Sequence, residues 1–235
     1  MASAAEQLAA NINFAAFAKA TDLQKRIWFT LGALVAYRFG TFIPIPGIDV
    51  QAFAQAFQQQ AGGILGMFNT FSGGAVERMA VFALNVMPYI SASIIIQLMS
   101  TSIPSLERLK KEGEAGRKQL NQYTRYLTLV LALVQSYGIA IGLQSSQGVV
   151  TNPGVFFVAS TVITLTGGAL FLMWLGEQVT ARGVGNGISL IIFAGIVADL
   201  PRMLAQTLNL ARVGDINPFA IFLITAVMLA AIVFI

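Results

Sequence analysis

Runs of apolar residues long enough to cross a lipid bilayer are the feature that most narrows what this chain can become. A hydrocarbon core about 30 Å thick takes about 20 apolar residues of helix per crossing. Six stretches approach or reach that length, at approximately 27–46, 79–103, 126–143, 155–176, 184–200 and 216–235. The third is short unless Tyr123 extends it, and the fifth is short and opens on Gly183, Gly185 and Gly187. Inside hydrocarbon every backbone N–H and C=O needs an internal partner, which a helix supplies. The expected fold is an all-α, polytopic transmembrane helical bundle. Composition agrees, with 10% charged residues against about 25% in soluble domains.

The same composition removes whole classes of function. The chain has no cysteine and no histidine, so disulfides, thiolate nucleophiles, zinc fingers and histidine catalysis are excluded. No metal and no cofactor is expected, and the protein is not read as an enzyme. Charge inside the spans is nearly absent: Arg38 is the one base well within a stretch, while Glu177 and Asp199 lie near stretch ends. A secondary transporter predicts paired ionisable groups and a substrate pocket, and this sequence offers neither. A structural subunit without a pore is the other alternative. Gly183, Gly185 and Gly187 give a Gly-x-Gly-x-Gly spacing, but with no strand before it this is not a nucleotide loop.

Lysine and arginine set the orientation. With the N-terminus inside, the inner segments hold Lys19, Lys25, Arg26, Arg108, Lys110, Lys111, Arg117, Lys118, Arg125 and Arg182, and the outer ones only Arg78, Arg202 and Arg212. Residues 1–26 read as a cytoplasmic segment rather than a signal peptide, since the first apolar run follows Lys25-Arg26, contains Arg38 and lacks a small-residue cleavage site. Within it Leu8, Ile12, Phe14 and Phe17 approximate a helical face, consistent with a short interfacial helix or a loose tail. Residues 27–200 form a five-span unit, and 201–235 an outer loop and sixth span. The chain ends within or at the end of that span without a polar tail, so a longer native chain is expected.

Two connecting segments stand out. Ser105–Gln122 carries both signs of charge and reads as an exposed hairpin, either fixing topology or docking a soluble partner. Segment 47–78 contains an uncharged apolar run from Gly62 to Gly74, too short to span. Glycine pairs at both ends would let it hinge. It reads as a half-helix folded back into a cavity, or as an amphipathic helix on the outer surface. The second stretch is polar without charge, carrying Asn85, Ser91, Ser93, Gln97 and Ser100, with Pro88 interrupting it. Such groups serve interhelical hydrogen bonding, or an interface that can part.

Several strings are similar to the SecY family, the pore-forming subunits of bacterial protein-conducting channels. They include Arg38-Phe39-Gly40-Thr41-Phe42-Ile43-Pro44-Ile45-Pro46-Gly47, Met67-Phe68-Asn69-Thr70-Phe71-Ser72-Gly73-Gly74, Met87-Pro88-Tyr89-Ile90-Ser91-Ala92-Ser93, Lys110-Lys111-Glu112-Gly113-Glu114, Met173-Trp174-Leu175-Gly176-Glu177-Gln178 and Arg182-Gly183-Val184-Gly185-Asn186-Gly187. They cover most of residues 25–200. The resemblance implies the N-terminal half of a ten-span, inverted-repeat channel with a re-entrant plug helix. The channel passes secretory polypeptides across the membrane and membrane segments sideways. It further implies a pore ring at Val86, Ile90 and Ile192, and a plug at about 62–76 including Ile64, Leu65, Met67, Phe68, Asn69, Thr70 and Phe71. Ser91 and Gln97 are the implied lateral-gate positions, and Arg108, Lys110, Lys111, Arg117 and Lys118 the cytoplasmic docking residues. The implied partners are small single-span SecE- and SecG-like subunits, a SecA-type motor ATPase or ribosome, the translocating polypeptide and membrane lipid, with no direct nucleic-acid recognition by this half. Each site would be a half-site, completed by the second half of the channel. The implied location is the bacterial cytoplasmic (inner) membrane.

Overall fold

The structure, a computed structural model, describes residues 21–60, 64–146, 148–213 and 218–234. The interfacial face at Leu8, Ile12, Phe14 and Phe17 and the hinge pair Gly62-Gly63 lie outside the described residues. In chain order the described helices are α1 (Thr21–Gly40), α2 (Val50–Gln60), α3 (Ile64–Phe71), α4 (Met87–Ser102), α5 (Pro104–Lys111), α6 (Glu114–Ser145), α7 (Val155–Arg182), α8 (Gly187–Val213) and α9 (Pro218–Phe234). Two isolated β-bridges, Pro44 to Ala80 and Ile48 to Val150, tie loops together at the end of the bundle opposite α5.

The bundle is packed through small residues and faces outward with large ones. In α6 the buried positions Thr124, Thr128, Ala132, Ser136 and Ala140 recur every four residues, while Val130, Val134, Tyr137 and Ile141 are exposed. Residues four apart share a helix face, so α6 presents a groove of small side chains to α7 and α4. Helices cannot gain hydrophobic energy by leaving lipid, so close approach and hydrogen bonds drive such packing. Ser136 and Thr166 make one of these bonds at 2.9 Å between α6 and α7. Gly168 of α7 faces the Val81 carbonyl so closely that a Cβ would collide with it. Stacked rings continue the core across elements, Tyr37 of α1 on Phe82 and Phe82 on Phe171 of α7, with centroids 6.2 and 5.8 Å apart.

Several expected spans differ from the helices that form. Among the described residues, α6, α7 and the Gly187–Thr207 part of α8 are each long and apolar enough to cross a bilayer. The first stretch is helical only to Gly40, after which residues 43–45 run extended and Pro46-Gly47 turn the chain. The stretch at 79–103 becomes helix only from Met87; Ser72–Val86 is a run of turns. Pro88 in the first turn of α4 has no N–H to extend the helix backward, and Met79 and Asn85 sit at positive φ, 45° and 49°. The turns satisfy their backbone against the extended 43–45 segment, through Ile45 N to Met79 O at 3.0 Å and Val81 N to Ile43 O at 2.9 Å. Irregular backbone is tolerated in a membrane protein where protein covers it. The 16 residues of α4 rise only about 24 Å, and α5 leaves α4 at a bend of 99°.

The charged hairpin is a helical one. α5 and α6 meet at a two-residue turn, Glu112-Gly113, where Gly113 takes φ 76°. α6 therefore starts twelve residues before the expected third span at 126. The expected outer loop after residue 200 is also helical: α8 continues through Pro201 to Val213. Proline removes one hydrogen bond from a helix without always ending it.

Candidate functional site

The centre of the molecule is the place where α3 ends. An isolated eight-residue helix is marginal in water, so α3 needs tertiary support. Its last turn closes on Gly73 and Gly74, whose φ values of 63° and 79° are the left-handed geometry in which helices commonly terminate. Ser72 N bonds to Phe68 O at 3.0 Å and Gly74 N to Asn69 O at 2.9 Å. The carbonyls beyond have no intrahelical donor.

Side chains from α1 and from the run of turns after α3 supply those donors. Asn85 Nδ2 donates to Phe71 O at 2.8 Å. Tyr37 Oη donates to Ser72 O at 3.2 Å. Arg38 Nη1 and Arg78 Nη2 both donate to Gly73 O, at 2.7 and 2.9 Å. Cations and donors at a helix C-terminus meet the negative end of its dipole. Both guanidinium groups also lie over the Phe42 ring, 4.8 and 4.5 Å from its centroid, a favourable cation–π geometry. Arg78 Nε bonds to Thr41 O at 3.2 Å. On the other face of α3, Asn69 Oδ1 accepts from Glu77 N at 2.9 Å, and Arg202 of α8 pairs with Glu77 at 3.4 Å.

Val86, Ile90 and Ile192 meet one residue beyond this clamp. Val86 is 1% exposed and belongs to the same apolar cluster as Leu172 and Ile191; Ile90 and Ile192 are half-buried and pack against it. Two cavities of about 740 Å³ lie beside α4. The first is mainly apolar and includes Phe68, Phe71, Met79, Asn85 and Ile139. The second is polar, towards the α5 end, and includes Tyr89, Ile90, Ser93, Gln97, Arg125 and Glu177. Arg125 and Glu177 make a bidentate pair across it, at 2.8 and 2.6 Å. The two linings interleave along α4, Met87 and Ser91 on the apolar cavity and Tyr89, Ile90, Ser93 and Gln97 on the polar one.

The other residues singled out in the sequence fall as follows. Phe68, Asn69, Thr70 and Phe71 are on α3, as is the backbone of Ile64 and Leu65; Met67 is largely exposed. Ser91 lines the apolar cavity and Gln97 the polar one, where Gln97 donates to Ser93 at 3.2 Å. Six residues apart on one helix, they are roughly 240° apart around its axis, so they are not brought together. Arg108, Lys110, Lys111, Arg117 and Lys118 are all exposed. Lys111 bonds to Glu107 at 2.6 Å, and that hydrogen bond holds the Glu107 carboxyl below the usual range. Arg78, read as an outer-loop charge, instead turns inward. Tyr37 and Gly195 carried no signal in the sequence, whereas Arg38 and Asn85 did, as the intramembrane base and a polar group of the second stretch.

This arrangement defines a class: a multi-pass α-helical membrane protein with a short helix clamped beside an apolar cluster. The particular family is SecY. Its model matches residues 80–235, more than half of the chain, and the chain belongs to that family. It is 56% identical over 216 residues to the protein translocase subunit SecY of Buchnera aphidicola, covering 91% of this chain and 60% of that protein. It is 55% identical to SecY of Escherichia coli, again over 91% of this chain but 48% of the relative. The chain therefore spans about half the length of the relatives it matches. Two solved structures share the fold, a protein-conducting channel and Sec61 in the canine ribosome-channel complex. Each has a TM-score of 0.52 at 19% identity, covering 80% of this chain and 38% of the other.

Proposed function

We propose that this chain forms the first half of a protein-conducting channel that moves secretory polypeptides across the bacterial cytoplasmic membrane and releases membrane segments into it. The observation that carries the reading is the meeting of Val86, Ile90 and Ile192 in one apolar cluster between a polar cavity and the clamped end of α3. A ring of aliphatic side chains resists ions by dewetting. It holds no fixed ligand and parts without breaking hydrogen bonds, so chains of any sequence can slide past. α3 is the plug that covers this ring. The seam of α4 against α6 supplies one wall of the lateral gate, with Ser91 and Gln97 on different faces of its helix. The second half of a full-length protein supplies the facing wall.

The ten-to-three bias of basic residues puts the N-terminus and the α5–α6 hairpin in the cytoplasm. The exposed Arg108, Lys110, Lys111, Arg117 and Lys118 then form a cationic docking face for a motor ATPase or ribosome. Small single-span subunits surround the assembled channel. Transport is driven by the partner; the channel makes and breaks no covalent bond.

This half has no cysteine of its own, and any cysteine in the second half is replaced before the test. Single cysteines at Val86, Ile90 and Ile192 in the full-length channel are probed for crosslinking to an arrested secretory polypeptide carrying one cysteine. Adducts at all three, with none at the outward-facing Val130 and Val134, are expected. Translocation without any adduct at the three would mean they are ordinary core.

A further inference from the structure

The docked position of α3 depends on a residue with no side chain. Gly195 lies in α8, three residues after Ile192 and four before Asp199, a spacing that puts all three on one helix face. A Cβ added to Gly195 would stand 2.5 Å from Phe71 O, 3.0 Å from Tyr37 Oη and 3.3 Å from Gly73 N. From the other side, a Cβ added to Gly73 would stand 3.1 Å from Gly195 Cα and 3.2 Å from Gly195 O. The end of α3 and the wall of α8 thus meet backbone to backbone. Around this spot α8 is bulky: Ile191, Ile192, Phe193, Ile196 and Val197 flank it.

We infer that Gly195 is the seat of the plug, a positioning residue whose bare backbone permits the closed channel. The inference rests on reading α3 as the plug. The added atom has nowhere to go, because the atoms it meets are held. Phe71 O is fixed by Asn85, and Gly73 by two guanidinium groups on its carbonyl. Small local shifts that normally absorb an extra methyl would break these bonds. A side chain at 195 therefore lifts the whole end of α3 off its clamp. The same face of α8 then serves both barriers, Ile192 in the ring and Gly195 under the plug, so movement of α8 acts on both together.

The test measures ion leak through the full-length channel in proteoliposomes for Gly195→Ala and Gly195→Val, each with and without deletion of residues 64–72. One methyl of overpacking shifts the docked-to-undocked ratio by about tenfold, and the larger valine by more. Leak is expected to rise in that order with the plug present. With the plug deleted, the substitutions add nothing to the deletion's own leak. If either variant assembles poorly, its yield returns in the plug-deleted background, where Phe71 O, the atom the added Cβ meets most closely, is gone. A tight channel with Gly195→Val overturns the inference. So does a leak or an assembly defect that persists unchanged without the plug, since that places the effect in the ring or in general packing. A plug deletion that leaks no more than the parent refutes instead the reading of α3 as the plug, and the seat falls with it.

Discussion

Asn85 holds the clamp and a strained backbone at once, and substitution separates the two. Its amide nitrogen donates to Phe71 O at 2.8 Å, while its own φ is 49°. Asn85→Ala removes the bond and also leaves a Cβ in the left-handed region, which costs roughly 1–2 kcal/mol. Asn85→Gly removes both the bond and that strain. Losing the donor leaves a helix-end carbonyl unpaired at a cost of about 1–3 kcal/mol. The lower half of that range, about 1.4 kcal/mol, is about tenfold in the docked population. The assay is the rate at which an impermeant maleimide modifies a single cysteine at Thr70, on the half-buried face of α3, in the full-length channel. The rate is expected to rise about tenfold, and equally, for alanine and glycine, because undocking relieves only the lost bond. The thermal midpoint of the channel should fall further for alanine than for glycine, because the strain belongs to the folded turn. An unchanged labelling rate in Asn85→Gly would refute the clamp. Equal midpoints for the two would refute the strain.

The remaining predictions concern the arginine pair and the glycine packing. Arg38 and Arg78 donate to the same oxygen, Gly73 O, so Arg38→Gln and Arg78→Gln should be non-additive in the labelling assay. A coupling of about 1 kcal/mol is expected, and strict additivity would mean the two act separately. Gly168→Ala should lower the thermal midpoint, because its Cβ meets the Val81 carbonyl, whereas Gly167→Ala has open space and gains helix propensity. A larger loss at Gly167 would contradict the packing described.

How much of this was legible in the sequence depended on periodicity. The long helices α6 and α7 announced themselves by apolar length, and the helix at 64–71 by an uncharged segment too short to span. The middle of the second stretch did not, because Val81, Phe82, Ala83 and Leu84 are as apolar as any helix core. Their turns are fixed by distant partners at Ile43 and Ile45, and no local propensity encodes them. The outer loop expected from residue 201 erred in the opposite direction, since α8 runs on through Pro201 to Val213. At the site, the ring proposed at Val86, Ile90 and Ile192 rests on resemblance; aliphatic side chains look alike in core and constriction. The clamp was half legible. A lone arginine inside a span is conspicuous, so Arg38 drew notice, but its acceptor is a backbone carbonyl, which the sequence does not display. Gly195 is one of 22 glycines, and only the contact with Phe71 sets it apart.

That the clamp grips carbonyls rather than side chains matters for opening. Each of its bonds exchanges for a bond to water when α3 leaves, so each contributes only its net value, about 0.5–1.5 kcal/mol for the neutral donors and about 1.5–3 for the guanidinium groups. Arg78 retains Thr41 O after release, and both arginines retain the Phe42 ring, so neither cation is left bare. The total is of the order of 5 kcal/mol, close to the roughly 5.5 kcal/mol of differential binding that reverses a 99:1 equilibrium. A polypeptide gripping the open state can supply that. A carboxylate at the end of α3 in place of a carbonyl would tie the same arginines into a buried ion pair, whose rupture is far costlier. On the proposed reading of α3 as the plug, the closed state is thus held by several modest bonds to backbone, strong enough together to keep α3 docked and weak enough to yield to a single passing chain.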